Sequence, residues 1–541
     1  MCKKLMFLIS CVSLALLVGS ASADWYWRQP CVPDCGTEYN WYDPNVWDDD
    51  NGNCVSAPFV GSVQIGMSSP NCPAFGPRVD SDAYVDGRLM GPARFGSGTQ
   101  TMNIVSGTFR VRDQWHINHN NSAGLALVNV TGDAVAISES GSSNSLRCDS
   151  GGNMIFTVSG DGTLISNGGW RNNDSGSCKV IEQIFTDNAT VQILGEYDRL
   201  GDNGGGKISF LGNSNFYVLK YVGYNGRDAG HSSNLTIADN AEVYCGEDFW
   251  VVSRGPGTGD CNMYGGSVNC RTFTVVGGGN IAPPAYPGAG TFNMYAGLVV
   301  CRDRFLVVED NPDRTVKGRA YLNGGTVECA RLEVGPTGIV DLSGGTLIIA
   351  GNALTQIHDL RVAGRLTGFG SPKNIKADFN VTNAGKTTVV GVVRNPEAAW
   401  NPSPSDTQVW IGSQINPVVC MWEGTHSVKD SHIVYFDTDL ACVTNTPAGD
   451  MTSPCYKVRI PAGYPRIYNA GLLPLWTTYY WRVDESYYTP YHVVKGDVWS
   501  FTTGCEPIDG DINNDCVVNF EDYAAIAESW GKKEYWPDED P

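Results

Sequence analysis

Apolar and polar residues alternate through the middle of the chain, and paired glycines interrupt the alternation at regular places. One phrase recurs: Met263-Tyr-Gly-Gly-Ser-Val268-Asn-Cys270, Met294-Tyr-Ala-Gly-Leu-Val299-Val-Cys301, Leu322-Asn-Gly-Gly-Thr-Val327-Glu-Cys329 and Leu342-Ser-Gly-Gly-Thr-Leu347-Ile-Ile349, with a looser copy from Ile237 to Cys245. A second alternating run follows, such as Phe273-Thr-Val275 or Phe305-Leu-Val307. A period of two across a glycine pair predicts strand, tight bend, strand.

The Cys positions of successive phrases lie 25, 31 and 28 residues apart, and Ile349 takes the same place 20 residues later. Periods of this size signal stacked repeats. Helical stripes are missing from the region. The pattern therefore predicts an all-β chain built on a β-solenoid, a parallel β-helix in which each coil lays its Val, Leu or Met above the same residue of the preceding coil. A β-sandwich or two separate β domains is the competing arrangement. The texture reaches upstream through Met102-Asn-Ile104, Phe156-Thr-Val158 and Val191-Gln-Ile193 and downstream to Val393. Residues 95–395 are thus expected to form the solenoid, with 24–94 as an N-terminal cap over its open end. Stacking would spread Cys245, Cys270, Cys301 and Cys329 along a ladder about 14 Å long, too far for one tetrahedral zinc, so they read as small core side chains, with a bridge between neighbours as the lesser alternative.

Beyond Arg394 three prolines, Pro396, Pro402 and Pro404, break the repeat. Val418–Trp422, His432–Phe436, Tyr456–Ile460, Tyr479–Val483 and Val498–Phe501 then read as strands of an antiparallel sandwich over residues 396–503. In the stretch Leu473 to Val483, with the Thr477-Thr478-Tyr479 approach and Trp422 as early core residue, it resembles a fibronectin type III domain. Leu475-Trp476 stands where that family has Pro-Gly. The resemblance implies a spacer or ligand platform and gives Tyr479 the role of a tyrosine corner bonded to upstream backbone. Tyr487, Tyr488 and Tyr491 are weighed as a sugar platform and expected to be an ordinary loop.

Oxygen-bearing side chains at Asp511, Asn513, Asp515, Asn519 and Asp522 fall at positions 1, 3, 5, 9 and 12 of a loop, with the Val517 carbonyl at position 7. A hard cation needs six or seven oxygens, and this spacing suits Ca2+. Val518 is expected to point inward, ahead of an amphipathic helix carrying Phe520, Tyr523, Ile526, Ala527 and Trp530. Residues 504–541 resemble a type I dockerin half-repeat, an EF-hand-like module. The resemblance implies those residues as the calcium ligands and a cohesin-like or cell-surface protein as partner. Two departures stand out. Cys516 takes the place of the glycine at position 6, where a bridge to Cys505 would offset the strain of a left-handed backbone, and no second loop follows Gly531.

The chain has 541 residues and a net charge of −20, with 37 basic and 57 acidic side chains. Such a balance repels phosphate backbones and argues against nucleic acid as a partner. Lys3 and Lys4, an apolar run from Leu5 to Val18 and Ala21-Ser22-Ala23 predict a signal peptide over residues 1–23 and a secreted or cell-surface protein with no membrane span. In an oxidising compartment its cysteines are expected to form disulfides, with close pairs Cys31/Cys35, Cys54/Cys72, Cys442/Cys455 and Cys505/Cys516 inviting local bridges.

Catalytic equipment is not legible. No carboxylate pair, Ser-His-Asp arrangement, phosphate loop or zinc motif emerges, and no catalytic residue is assigned. Asp198, Arg199, Asp202, Arg227, Asp228 and His231 form the one dense mixed-charge stretch of the repeats and read as solvated corners rather than a polysaccharide groove. The expectation is a calcium-binding scaffold or adhesion protein associated with polysaccharide. A polysaccharide lyase or glycoside hydrolase and a carbohydrate-binding module array are the alternatives.

Overall fold

The computed structural model describes isolated strands between residues 25 and 65 and then residues 74–529 apart from loop stretches (92–98, 119–123, 149–152, 173–180, 199–205, 224–231, 253–256, 278–287, 310–315, 394–396, 405, 412–416, 425–428, 489–490, 505–509 and 513–515). The chain forms two compact units, residues 1–205 and 206–541.

In the first unit each coil lays down three short strands. Thr99–Ile104, Thr108–Val111 and Trp115–Ile117 make one coil; Leu125–Val130, Val135–Ser138 and Leu146–Cys148 the next; Asn153–Val158, Thr163–Ser166 and Trp170–Asn172 another. Equivalent strands pair in parallel and in register, so Met102, Val128 and Phe156 fall in one column and Phe109, Ala136 and Leu164 in a second. Side chains alternate between interior and surface because a strand has a period of two. The interior is filled by large rings, with Phe156 against Trp170 at 5.0 Å and Phe109 against Trp115 at 5.5 Å.

The second unit continues the same grammar. Met263, Met294, Leu322 and Leu342 are register partners, as are Val268, Val299, Val327 and Leu347. The predicted strand, bend, strand phrases are therefore real coils, and the all-β solenoid is the fold. Here the later strands of a coil fuse into long ones, Ser267–Val276 and Leu298–Val308, bent by irregular register after Cys270 and Cys301. Parallel stacking ends at a cover: helix α1 (Leu354–Val362) buries Leu354, Ile357 and Leu360, and the strand Lys386–Gly391 pairs antiparallel with Thr346–Ala350. Ile375–Phe379 then pairs antiparallel on the far side of that strand, so the parallel ladder ends in an antiparallel hairpin.

The tight turns need a left-handed residue, and two residue types supply it. Gly132 and Gly160 do so without a Cβ, whereas Asp187 (φ 59°) and Asp239 (φ 57°) offset the strain with a hydrogen bond, each carboxylate accepting the N–H of the glycine one coil earlier, Gly160 and Gly212.

A sandwich of two sheets follows, antiparallel except where Gln408–Ile411 runs parallel to Val498–Thr503. One carries Trp400–Ser403, Val418–Glu423 and Ile467–Gly471; the other carries Gln408–Ile411, Lys429–Asp437, Tyr456–Pro461, Thr478–Tyr488, Tyr491–Val494 and Val498–Thr503. Trp422, Phe436, Tyr479, Trp481, Trp499 and Phe501 form its core. Beside it, Arg482 is fully buried, ion-paired to Asp484 at 2.8 Å, and its guanidinium lies 4.3 Å from the Tyr435 ring. The same arginine donates to the Val443 carbonyl of helix α2 (Leu440–Asn445), fixing that helix to the sheet.

Several expectations need correction. Six cysteines, Cys245, Cys261, Cys270, Cys301, Cys329 and Cys420, are free thiols and buried. General disulfide pairing thus fails in the coils, where Cys270, Cys301 and Cys329 stack in register as core filling. Cys442 and Cys455 do form the local bridge expected of them. Tyr479 lies in the sandwich core, its ring stacked on Phe436 at 5.1 Å and on Phe501 at 5.7 Å. Tyr487 is no exposed loop residue: it is buried on a hairpin, stacks on His492 at 4.8 Å and donates to the Glu397 carbonyl at 2.6 Å. Residues 1–23, Cys31, Cys35 and Cys72 lie outside the described residues, and the Cys54 side chain is likewise not described.

Candidate metal centre

The tail loop begins at Gly510, which takes a left-handed φ of 99°, and ends in helix α3 (Phe520–Ser529). Its first ligand candidate, Asp511, accepts the backbone N–H of Cys516 at 2.9 Å, drawing position 6 back over position 1. Cys516 holds φ 72°, the conformation for which glycine is the usual choice, and it is disulfide-bonded. Its expected partner Cys505 lies outside the described residues, as do Asn513 and Asp515.

The closing end is a reciprocal cap. The Asn519 side chain accepts the N–H of Glu521 at 2.6 Å, and Asp522, three residues on, accepts the N–H of Asn519 at 2.7 Å. This satisfies two orphan donors of the first helical turn. The other Asp522 oxygen accepts the N–H of Ile512 at 2.7 Å, tying the two ends of the loop together, and the residue is 1% exposed. A carboxylate offers about four lone-pair sites, so both oxygens retain capacity for a cation. The capping role was missed by sequence reasoning, although Asn-x-x-Asp ahead of a helix announces it.

The loop thus brings Asp511, Cys516, Asn519 and Asp522 together. Val517 is 44% exposed, with its carbonyl at position 7. Val518 does not point inward but is 49% exposed, because among the described residues no second loop packs on it. At the start of the stripe expected of α3, Phe520 is 89% and Tyr523 67% exposed, their rings 6.2 Å apart, while the Ile526 side chain and Trp530 are not described. Among the described residues, the tail loop included, no three His, Cys, Asp or Glu side chains gather as a metal site, and no helix is long and apolar enough to cross a membrane.

Of the mixed-charge stretch, Asp198 ends a strand with its side chain not described, and Arg199, Asp202, Arg227, Asp228 and His231 lie outside the described residues. Comparison with protein-family models, curated proteins and solved structures finds no match for this chain.

Proposed function

We propose that this chain is an exported scaffold or adhesion protein of the cell surface or of an extracellular polysaccharide-handling assembly, with a C-terminal loop that takes one Ca2+. The observation that carries the scaffold reading is how the outward side chains of the coils are used. Four bond to the same position of the neighbouring coil, Asn129 to Asn103 at 2.8 Å, Asn188 to Asp161 at 2.9 Å, Asn240 to Asn213 at 3.0 Å and Asn293 to Asn262 at 2.9 Å, and Arg271 reaches Asp248, the register partner of the adjacent Thr272, at 3.0 Å. Polar groups arranged in this way stiffen a surface rather than converge on a substrate.

The calcium reading rests on the fit of the loop. A left-handed residue at position 6, a buried position-12 carboxylate and hard oxygen donors suit Ca2+, whose binding would neutralise the acidic loop and lock its two ends. Asp511, Asn513, Asp515, the Val517 carbonyl, Asn519 and Asp522 are the proposed ligands, and a cohesin-like or cell-surface protein is the proposed partner for the tail. A second reading, a carbohydrate-binding surface, is favoured by one observation: Tyr264 and Tyr295, 54% and 46% exposed, stack at 5.0 Å on adjacent coils.

A screen of the full chain against polysaccharides, scored for retention and for chain shortening, tests the proposal. Retention without shortening supports a scaffold or binding surface. Depolymerisation would assign the chain to lyases or hydrolases instead.

A further inference from the structure

One outward column of the coils carries a short ladder of rings, and the ladder stops beside a gap. Phe210, Ile237, Met263, Met294 and Leu322 are successive register partners, so the residues that follow them, Leu211, Ala238, Tyr264, Tyr295 and Asn323, hold equivalent places on successive coils. The backbone bonds repeat accordingly: Ala238, Tyr264, Tyr295 and Asn323 donate their N–H groups one coil back, to the carbonyls of Phe210, Ile237, Met263 and Met294.

Tyr264 and Tyr295 stack at 5.0 Å with 4° between their planes, so each ring covers one face of the other. On its second side Tyr264 meets the coil of Ala238, whose methyl group is too short to cover a ring. Among the described residues no other ring packs on Tyr264, which is 54% exposed. One coil further back the column carries a large apolar side chain again, Leu211. Neighbouring coils lie about 4.8 Å apart, so Leu211 and Tyr264 stand about 10 Å from each other with Ala238 as the floor between them. The notch has the width of one missing ring in the ladder.

Polar groups border it. Side chains of a strand point the same way at every second residue, which places Thr236 beside Ala238 and Asn262 beside Tyr264, and Thr236 and Asn262 are register partners. Asn262 accepts from Asn293 through Oδ1 at 2.9 Å, a bond that does not use its Nδ2. The charges on these two coils are negative, with Asp239 following Ala238 in the turn and Asp260 two residues before Asn262 on the same strand. A ring face edged by a hydroxyl and an amide, in acidic surroundings, suits a ligand with a flat C–H face, a rim of hydroxyls and no negative charge.

We infer that the notch over Ala238 binds one neutral pyranose unit of a polysaccharide, its C–H face stacked on the uncovered face of Tyr264 and its hydroxyls on Thr236 and Asn262. The inference rests on the carbohydrate-binding reading of the tyrosine pair and names the unit that the pair takes.

Calorimetry on the full chain tests it with cellohexaose, mannohexaose and xylohexaose, which are neutral, and with hexagalacturonate, which is charged. At least one neutral hexamer should bind at least tenfold tighter than hexagalacturonate. Ala238→Tyr supplies the missing ring and should lower that affinity at least tenfold without lowering the melting temperature. Tyr264→Ala should lower it as much, and Tyr264→Phe should keep it. Hexagalacturonate bound as tightly as the best neutral hexamer, or an unaltered affinity in folded Ala238→Tyr, would overturn the notch and leave carbohydrate binding elsewhere on the chain standing. No binding of any hexamer would overturn both.

Discussion

Asp239 completes the turn of the coil before its own: its carboxylate accepts the Gly212 N–H at 2.9 Å while its backbone sits at φ 57°. The side chain thus repairs a strained conformation with a bond to the neighbouring rung. Asp239→Ala removes the bond and keeps the strain the wild type already carries, for about 1 kcal/mol. Asp239→Gly removes the same bond but relieves about 1 kcal/mol of strain, so the two roughly offset. Urea denaturation should place Gly near the wild type and above Ala, and Ala more stable than Gly would contradict the turn account.

Glycine matters in these turns for two separable reasons. Gly351 (φ 71°) has open space where a Cβ would stand, whereas at Gly266 (φ 68°) a Cβ would lie 2.3 Å from the Ala241 carbonyl oxygen of the previous coil. Gly351→Ala should cost about 1 kcal/mol, the conformational term alone. Gly266→Ala adds a backbone collision and should cost clearly more. Thermal melts of the two variants, which share one substitution and nearly one φ, measure the stacking contact directly.

Arg482 and Asp484 are both fully buried, and Asp484 also accepts N–H groups from Gly449 and Gly496 at 3.0 Å each. Removing one partner strands a charge in the sandwich, so Arg482→Ala should cost about 3 to 5 kcal/mol. Adding Asp484→Ala should cost much less than a second independent loss, and a double-mutant cycle in urea reads the coupling. Additive losses would show that the pair does not act as a unit.

The buried thiols give the fold an alkaline limit. Burial pushes Cys245, Cys261 and Cys420 up to about 12, from an ordinary value of 9.0. In that interval the unfolded chain has released protons that the folded chain retains. Stability is therefore full below pH 9.0 and declines as pH rises towards 12. Cys261 lies in register between Leu235 and Phe292, so Cys261→Val should keep the packing and flatten the decline in melting temperature. An unchanged slope would show that this thiol is not a source of it.

The coils were legible because stacking imposes one demand, the same kind of residue at the same place, and sequence records that demand as a period. Met263, Met294 and Leu322 announced their column, and Cys270, Cys301 and Cys329 theirs. Partnerships across long separations left no period to read. Nothing adjacent to Tyr487 reveals that its hydroxyl seeks the carbonyl of Glu397, 90 residues earlier, or that Arg482 lies over the Tyr435 ring and donates to the Val443 carbonyl. In the tail the spacing of oxygens was legible, but the exposure of Val518 and Phe520 was not, because a sequence pattern marks an apolar face without saying whether anything covers it.

Direct titration of the full chain with Ca2+, set beside Asp511→Ala and Asp522→Asn, bears most directly on the proposal that the tail is a calcium loop. One bound ion per chain is expected, with chelator restoring rapid proteolysis at the tail and both variants losing most of the affinity. Absence of binding to the wild type, or full affinity in both variants, would contradict it.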